Sequence, residues 1–219
     1  MAYGENMKKL SPCSSRQVME SLLGACPGMK TLLDAGCGRG ERLAAAAAAF
    51  PGVERFGIDL DAENAAAARE ICPDAEIVTG DVCALPWADG RFDAALCECT
   101  LSLLDAPYRC LSELSRVLRP GGVLLLSDLV SGADSPERTL VSPEGAVRYL
   151  ASRTWTEAAA EAAGFRIIRY TDCREALLEM IGQMIFDGAC GCIGQEAFAV
   201  LRGKKAGYGM WILERDEGK

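Results

Sequence analysis

Three glycines at alternate positions follow a short apolar run near the start of the chain: Gly36, Gly38 and Gly40. Glycine lets a chain turn sharply and lets a ligand approach the backbone, and a following helix offers free N–H groups. A dinucleotide-binding loop would carry its third glycine one position later, where this chain has Glu41. Asp34, just before the loop, would repel a pyrophosphate but attract an amino-acid ammonium group. The pattern therefore predicts a site for a cationic ligand and argues against an NAD-dependent oxidoreductase. A purely structural turn is the alternative.

Two more acidic residues follow the next two apolar runs. Asp59 lies about 20 residues past the loop, the spacing at which a carboxylate accepts the hydroxyl groups of a ribose. The alternative for Asp59 is a helix N-cap, a role that Asp61 suits better. Asp81 could accept the exocyclic amine of an adenine, with the backbone N–H of Val82 meeting a ring nitrogen. Residues 85–87, which read Leu-Pro-Trp, would then close over the ring.

Glu98 lies between two cysteines in the turn that follows another apolar run. It could contact the ammonium group of a cofactor, orient a substrate or, if partial burial raises its pKa, accept a proton. The alternative is that Glu98 caps the following turn. The chain has no histidine, which removes the commonest general base and the commonest metal ligand, so we expect no metal site.

Apolar runs alternate with helical patterns along most of the chain, which predicts a parallel, doubly wound α/β sheet in a single domain, residues 1–219. The predicted strands are 30–35, 53–58, 75–79, 92–97, 123–129, 164–171 and 208–214. The predicted helices are 14–25, 42–50, 62–71, 107–118, 156–163, 174–186 and a short one at 195–202. Three segments depart from the simple alternation: a helical cap at 1–29, a lid-like loop at 131–152 and a helical insertion at 172–207.

Two longer motifs support a family resemblance. Residues 85–93 read LPWADGRFD and residues 113–122 read ELSRVLRPGG. Together with the acidic sites they resemble class I S-adenosylmethionine-dependent methyltransferases, specifically the small-molecule type 11 group that includes ubiquinone-biosynthesis C-methyltransferases. The resemblance implies a Rossmann-like, seven-stranded, mostly parallel sheet whose last strand, 208–214, is antiparallel. Many relatives carry a histidine where this chain has Ser102, so a catalytic histidine is excluded here.

The resemblance also implies a cofactor, S-adenosyl-L-methionine, and a set of residues that bind it. Asp34 and the loop would hold its methionine end, Asp59 its ribose, and Asp81 with Val82 its adenine. Glu98 is the candidate catalytic residue and also a candidate cofactor contact. The full cofactor-binding prediction is Asp34, Gly36, Cys37, Gly38, Gly40, Asp59, Leu60, Asp81, Val82 and Glu98.

Charge and composition restrict the partners. A net charge of −8 disfavours nucleic acid and anionic membranes, which leaves a small-molecule acceptor. No segment approaches the roughly 20 apolar residues of a membrane span, and residues 1–10 lack the apolar stretch of a signal peptide, so we expect a cytoplasmic protein. Eleven cysteines without an export signal favour free thiols.

Cys190 and Cys192 form a C-x-C motif within the predicted insertion. Such a thiol pair could bind a soft metal or metalloid, accept a methyl group or dock a redox partner, although most cysteines pack as small apolar residues. Two alternatives to methyl transfer onto a small molecule therefore stay open. One is a methyltransferase that acts on a thiol or metalloid through this pair, and the other is a non-catalytic S-adenosylmethionine-binding protein.

Overall fold

A mixed sheet forms the centre of the protein. The computed structural model describes residues 11–142, 147–186 and 202–218, and within them nine strands join one sheet. The strands are β1 (Thr31–Ala35), β2 (Glu54–Asp59), β3 (Glu76–Thr79), β4 (Phe92–Glu98), β5 (Leu118–Ser131), β6 (Thr139–Leu140), β7 (Tyr149–Ser152), β8 (Phe165–Asp172) and β9 (Gly207–Arg215).

Five strands lie parallel in the order β3-β2-β1-β4-β5, and β9 then runs antiparallel between β5 and β8. These seven strands reproduce the predicted sheet with its antiparallel last strand. The apolar run of β5 is continuous because both faces of the strand are covered by helices. The carboxyl ends of β1, β2, β3 and β4 meet at one edge of the sheet, and this edge carries the predicted site.

Helices pack on both faces of the sheet. They are α1 (Ser15–Ala25), α2 (Glu41–Ala49), α3 (Ala62–Ile71), α4 (Pro107–Val117), α5 (Arg153–Ala162) and α6 (Arg174–Phe186), with a short 3-10 helix at Leu101–Leu103. Residues of α1, α2 and α6 bury their apolar side chains in one cluster. Residues of α4 and α5 bury theirs in the cluster on the opposite face. In α4 the buried positions Leu111 and Leu114 lie on one helical face, as their spacing predicts.

Two segments differ from the sequence prediction. The predicted lid-like loop at 131–152 contains β6 and β7, and β7 pairs in parallel with the last residues of β5. This pairing is possible because β5 continues to Ser131, beyond its predicted end at 129. Strand β5 also begins at Leu118, five residues earlier than predicted, and passes through the Pro-Gly-Gly sequence that was expected to separate helix from strand.

The predicted cap and insertion are only partly described. Helix α1 lies within 1–29 and contacts α2, and helix α6 forms the first part of the predicted insertion at 172–207. Cys190, Cys192 and all but the last residue of the predicted helix at 195–202 lie outside the described residues. The division of the domain into cap, lid and insertion stays a prediction. In the described part of the chain, no helix combines the length and the apolar character needed to cross a membrane.

Candidate functional site

The glycine loop makes a tight crossing between β1 and α2. Gly36 and Gly40 have φ values of 81° and 86°, in the left-handed region that glycine adopts without strain. The N–H groups of Gly36 and Cys37 both donate to the carbonyl oxygen of Ile58, which fixes the loop against the end of β2. A Cβ atom on Gly36 would lie 2.4 Å from the hydroxyl oxygen of Thr100. The loop therefore packs directly against the turn that follows β4.

Asp34 is buried beneath this loop. The residue is 2% exposed, and its Oδ2 atom has no hydrogen-bond partner within the described part of the chain. Burial raises the pKa of Asp34 to about 8, the nearby Glu98 adds to the rise, and the Arg42 guanidinium opposes it. A buried carboxyl group without a partner is costly, so a cationic hydrogen-bond donor placed here would be bound favourably.

Glu98, at the carboxyl end of β4, presents a second buried carboxylate. Its Oε2 accepts hydrogen bonds from Arg42 Nε and Ser11 Oγ, each at 2.9 Å. Its Oε1 is buried, and no described residue donates to it. The side chain accepts no backbone N–H in the described structure, so the alternative in which Glu98 caps the following turn is wrong. One oxygen is thus fixed by the protein and the other is left for a ligand.

Arg42 connects this carboxylate to the segment before α1. Besides its ion pair with Glu98, the guanidinium donates to Ser11 Oγ, Cys13 O and Ser15 Oγ at 2.6 to 2.7 Å. The sequence prediction missed Arg42. A signal existed, because Arg42 is the one charged residue between Glu41 and the alanine run of α2. Its partner, Glu98, is 56 residues away.

Asp59 lies at the carboxyl end of β2, next to the loop. Its Oδ2 accepts the N–H of Gly38 at 2.8 Å, and its Oδ1 accepts the N–H of Asp61 at 3.0 Å. Asp61 is the N-cap of α3, where its side chain accepts the N–H of Glu63, as predicted. Leu60, between them, is 74% exposed. Because a carboxylate has about four acceptor positions, Asp59 can still accept hydrogen bonds from a ligand.

Asp81 and Val82 follow β3 at the same edge of the sheet. The Asp81 side chain is exposed, and its Oδ1 accepts the N–H of Cys83 at 2.8 Å, whereas Val82 is buried. The N–H of Gly80 donates to the carbonyl oxygen of Asp59 at 2.9 Å, which holds the two acidic turns together. The carboxylates of Asp59 and Asp81 therefore follow neighbouring strands at the same sheet edge.

The prediction that Trp87 closes over a ligand ring is wrong. Its indole packs edge-on against Phe56 and Phe92, and its Nε1 donates to Glu76 at 3.2 Å. Glu76 and Phe92 are the first residues of β3 and β4, so Trp87 lies toward the amino ends of the strands. The predicted site occupies the opposite ends. Leu85 is likewise buried in the core.

Asp128 and Arg138 also lie near this turn, and the sequence prediction missed both. Asp128, near the end of β5, is 4% exposed and accepts the N–H of Ser102 at 2.8 Å. Burial raises the pKa of Asp128, and its hydrogen bonds oppose the rise. The sequence did contain a signal for Asp128, because an acidic residue within an apolar strand needs hydrogen-bond donors around it. The N–H of Ser102 thereby fixes the 3-10 helix to β5.

Part of this chain matches a family of known proteins. Residues 33–126, which include the glycine loop, Asp59, Asp81 and Glu98, match a family model described as a methyltransferase domain. The chain carries a methyltransferase domain. The methyltransferase match ends within β5, so it covers the five parallel strands.

Curated relatives of the methyltransferase domain act on different acceptors. A demethylmenaquinone methyltransferase of Renibacterium salmoninarum is 30% identical over 125 residues, which are 57% of this chain and 52% of that protein. An arsenite methyltransferase of Halobacterium salinarum is 31% identical over 151 residues, which are 65% of this chain and 38% of that protein. The chain thus spans about half, or less, of the length of these relatives.

Solved structures share the fold of the methyltransferase domain. A geranyl diphosphate methyltransferase in complex with S-adenosylmethionine has a TM-score of 0.73 at 21% identity, covering 98% of this chain and 94% of that chain. The cyclase SpnF has a TM-score of 0.70 at 22% identity, covering 98% and 86%. The predicted Rossmann-like α/β fold and the predicted resemblance to S-adenosylmethionine-dependent methyltransferases are confirmed. The roles of individual site residues stay predictions.

Proposed function

We propose that this protein transfers a methyl group from S-adenosylmethionine to a small-molecule acceptor and leaves S-adenosylhomocysteine. The observation that carries the proposal is the pair of buried, unpartnered carboxylate oxygens, Asp34 Oδ2 and Glu98 Oε1, among the described residues. They belong to neighbouring strands, because Asp34 is in register with Leu96, two residues before Glu98. The methionine end of the cofactor carries an ammonium group, which can donate to both oxygens.

The remaining acidic turns suit the nucleoside part of the same ligand. Asp59 can accept the ribose hydroxyls while it stays fixed by the N–H of Gly38. Asp81 and the backbone of Val82 would meet the adenine, and the exposed Leu60 side chain offers an apolar surface at the same edge. The loop backbone can approach the methionine end of the cofactor closely at Gly36, Cys37 and Gly40. These assignments follow the order of the strands in the sheet.

The protein's contribution to the chemistry is positioning and exclusion of water. Bound S-adenosylmethionine supplies an activated methyl group, so the protein needs to hold the acceptor in line with it in a dry cavity. Glu98 would hold and orient the ligand from the end of β4. Its Oε2 is held by Arg42 and Ser11, which fixes the side chain in place. We therefore assign Glu98 a binding role rather than that of a general base.

A thiol or metalloid acceptor is the second candidate function. The relative named arsenite methyltransferase supports it, and so does the C-x-C sequence at Cys190 and Cys192, which could serve as a thiol partner site. A non-catalytic cofactor-binding role is the remaining alternative. Because one fold hosts many functions, and the fold here is shared with a protein named as a cyclase, only turnover separates these candidates.

Titration with S-adenosylhomocysteine by calorimetry tests the proposal. We expect one site in the wild type and at least about tenfold weaker binding in Asp59→Ala, since each lost charged hydrogen bond is worth about 1.5–3 kcal/mol. Asp61→Ala is the matched control: it removes the neighbouring carboxylate and the α3 cap but leaves the ribose position intact. No heat with the wild type, or equal losses in both variants, would contradict the proposal. Incubation with methyl-labelled cofactor and cell extract then distinguishes an enzyme from a binding protein.

We also propose that the protein acts in the cytoplasm on small molecules, without nucleic acid or membrane partners. The net charge of −8 supports the exclusion of anionic partners. Eight described cysteines are free thiols, as expected where the cell keeps thiols reduced: Cys13, Cys26, Cys37, Cys72, Cys83, Cys97, Cys110 and Cys173.

A further inference from the structure

Two buried cysteines from distant parts of the chain lie side by side near the proposed cofactor site. Cys13 precedes α1 and Cys173 precedes α6, and both belong to the apolar cluster that α1, α2 and α6 share. Both are free thiols, and their side chains are within hydrogen-bonding reach of each other. Gln17, in the first turn of α1, spans the same gap, since its Nε2 lies 3.9 Å from Cys173 Sγ. Contact between two thiols is the first geometric requirement of a disulfide.

The two thiols differ in reactivity. The contact with Cys13 lowers the pKa of Cys173, whereas burial and the Asp172 charge oppose this change. Cys173 also lies at the amino end of α6, where its carbonyl oxygen accepts the N–H of Leu177 at 3.1 Å. A helix amino end favours the thiolate, which is the nucleophile in thiol oxidation. The contact with Cys173, burial and the Glu98 charge raise the pKa of Cys13. Cys173 is therefore the attacking thiol of the pair.

Cys13 lies in the segment that holds the buried Glu98 carboxylate. The carbonyl oxygen of Cys13 accepts a hydrogen bond from Arg42 Nη2 at 2.7 Å, and Arg42 Nε donates to Glu98 at 2.9 Å. Ser11, two residues before Cys13, donates to the same carboxylate oxygen. The Glu98 side chain is only 7% exposed, so a ligand can reach its buried Oε1 only if the surrounding residues move. Residues 11–15 are among those that have to move.

The other cysteine is fixed to the central sheet. The N–H of Cys173 donates to the carbonyl oxygen of Tyr208 in β9 at 2.8 Å. Tyr208 is buried, and its hydroxyl is hydrogen-bonded to Ser127 of β5 at 2.9 Å. A covalent bond between the two cysteines would therefore attach the segment over Glu98 to the rigid part of the protein.

We propose that Cys13 and Cys173 form a reversible disulfide that fastens residues 11–15 over Glu98 and slows ligand exchange at the site. The oxidant is a peroxide, and each cysteine adjoins an exposed residue, Ser14 or Arg174. The Cys173 thiolate attacks one peroxide oxygen, the O–O bond breaks, and the leaving hydroxide takes a proton to become water. The Cys13 sulfur then attacks the sulfenic acid, the S–O bond breaks, and the hydroxide leaves with the Cys13 proton as a second water. The two sulfurs together lose the two electrons that the peroxide gains.

Peptide mapping tests whether the disulfide forms. The reduced full-length protein is treated with hydrogen peroxide, the remaining thiols are alkylated, and the protein is digested with trypsin without reductant. Trypsin leaves Cys13 as the one cysteine of the peptide 10–16 and Cys173 as the one cysteine of the peptide 170–174. We expect these two peptides to be linked in the oxidised wild type and to separate when a reductant is added.

Two variants make the mapping specific. Cys13→Ser should leave the peptide 170–174 unlinked after the same treatment. Cys110→Ser is the matched control, because Cys110 also touches a second buried cysteine, but on the opposite face of the sheet, so the link should survive. Absence of the linked pair in the wild type would overturn the inference. A link from either peptide to the peptide 175–202, which holds the C-x-C motif, would overturn it as well.

Ligand exchange tests the fastening of the segment. Disulfide formation requires no bound ligand, whereas its effect on exchange rests on the proposed function. We expect S-adenosylhomocysteine to bind and dissociate at least about tenfold more slowly in the oxidised than in the reduced wild type, a barrier change of about 1.4 kcal/mol. Peroxide-treated Cys13→Ser should not show this slowing, and a reductant should reverse it in the wild type.

Equal rates in the oxidised and reduced wild type, or the same slowing in peroxide-treated Cys13→Ser, would overturn the fastening role. If S-adenosylhomocysteine binds to neither form of the wild type, the proposed function fails and the effect on exchange fails with it. The linked peptides report on the disulfide in either case, so the two failures can be told apart.

Discussion

Cofactor binding should strengthen as the pH rises from 6 to 8, because an ammonium ligand requires Asp34 in its ionised form. Burial raises the pKa of this carboxyl group to about 8, so the group is mostly protonated in the free protein at pH 6. Only about 1% of the protein would then be ionised at Asp34, compared with about half at pH 8. The apparent dissociation constant scales inversely with the competent fraction, so binding should be about 50-fold weaker at pH 6. This corresponds to about 2 kcal/mol.

The assay is calorimetric titration with S-adenosylhomocysteine at pH 6, 7 and 8, in pairs of buffers that differ in ionisation enthalpy. At pH 6 the wild type should release close to one proton for each ligand bound, because the ammonium pulls the pKa of Asp34 down. Asp34→Asn is the control. It cannot ionise at this position, so its remaining pH dependence reports the ligand's own ammonium group and any other titrating groups. We expect Asp34→Asn to bind S-adenosylhomocysteine weakly, and its affinity should not rise about 50-fold between pH 6 and 8.

Three results would refute this reasoning about Asp34. They are a wild-type affinity that is constant or falls between pH 6 and 8, an absence of proton release at pH 6, and the same pH dependence in Asp34→Asn. Any of them would mean that the ammonium does not pair with Asp34.

Other substitutions test the surroundings of the site. Gly36→Ala should lower the free energy of unfolding by about 1–3 kcal/mol and weaken S-adenosylhomocysteine binding. The new Cβ would clash with Thr100, and the φ angle of 81° at this position is unfavourable for alanine. An unchanged denaturation midpoint would contradict this prediction. Arg42→Met should lower the free energy of unfolding in urea by about 3 kcal/mol, because it leaves the buried Glu98 carboxylate without its cation. Adding Glu98→Gln to this variant should recover part of the loss. Equal stability of the single and double variants would refute the role of the ion pair. Tyr208→Phe should lower the free energy of unfolding by about 1 kcal/mol, because it removes the hydroxyl that is hydrogen-bonded to the buried Ser127. An unchanged thermal midpoint would argue against this hydrogen bond.

The acidic residues of the site could be predicted because they are local features of the sequence. Each of three acidic residues lies at or near the end of an apolar run: Asp34, Asp59 and Glu98. The alternation of strands with helices predicts that these runs are parallel strands of one sheet. Parallel strands bring their carboxyl ends to one edge of the sheet. The sequence order therefore contained most of the information about which residues come together.

The contacts around those residues could not be predicted in the same way. The Arg42–Glu98 ion pair joins positions 56 residues apart, and no local pattern indicates which acidic side chain an arginine meets. Trp87 was assigned to the wrong end of the sheet because its position after β3 does not determine the direction in which the loop carries it. The pairing of β7 with β5 depends on how far β5 continues, which tertiary contacts decide.

A crystal structure with S-adenosylhomocysteine bound tests the central claim most directly. We predict that the ligand's ammonium nitrogen lies within about 3.2 Å of both Asp34 Oδ2 and Glu98 Oε1, with its ribose hydroxyls on Asp59. Ligand density at another place on the protein, or an ammonium group that contacts neither carboxylate, would contradict it.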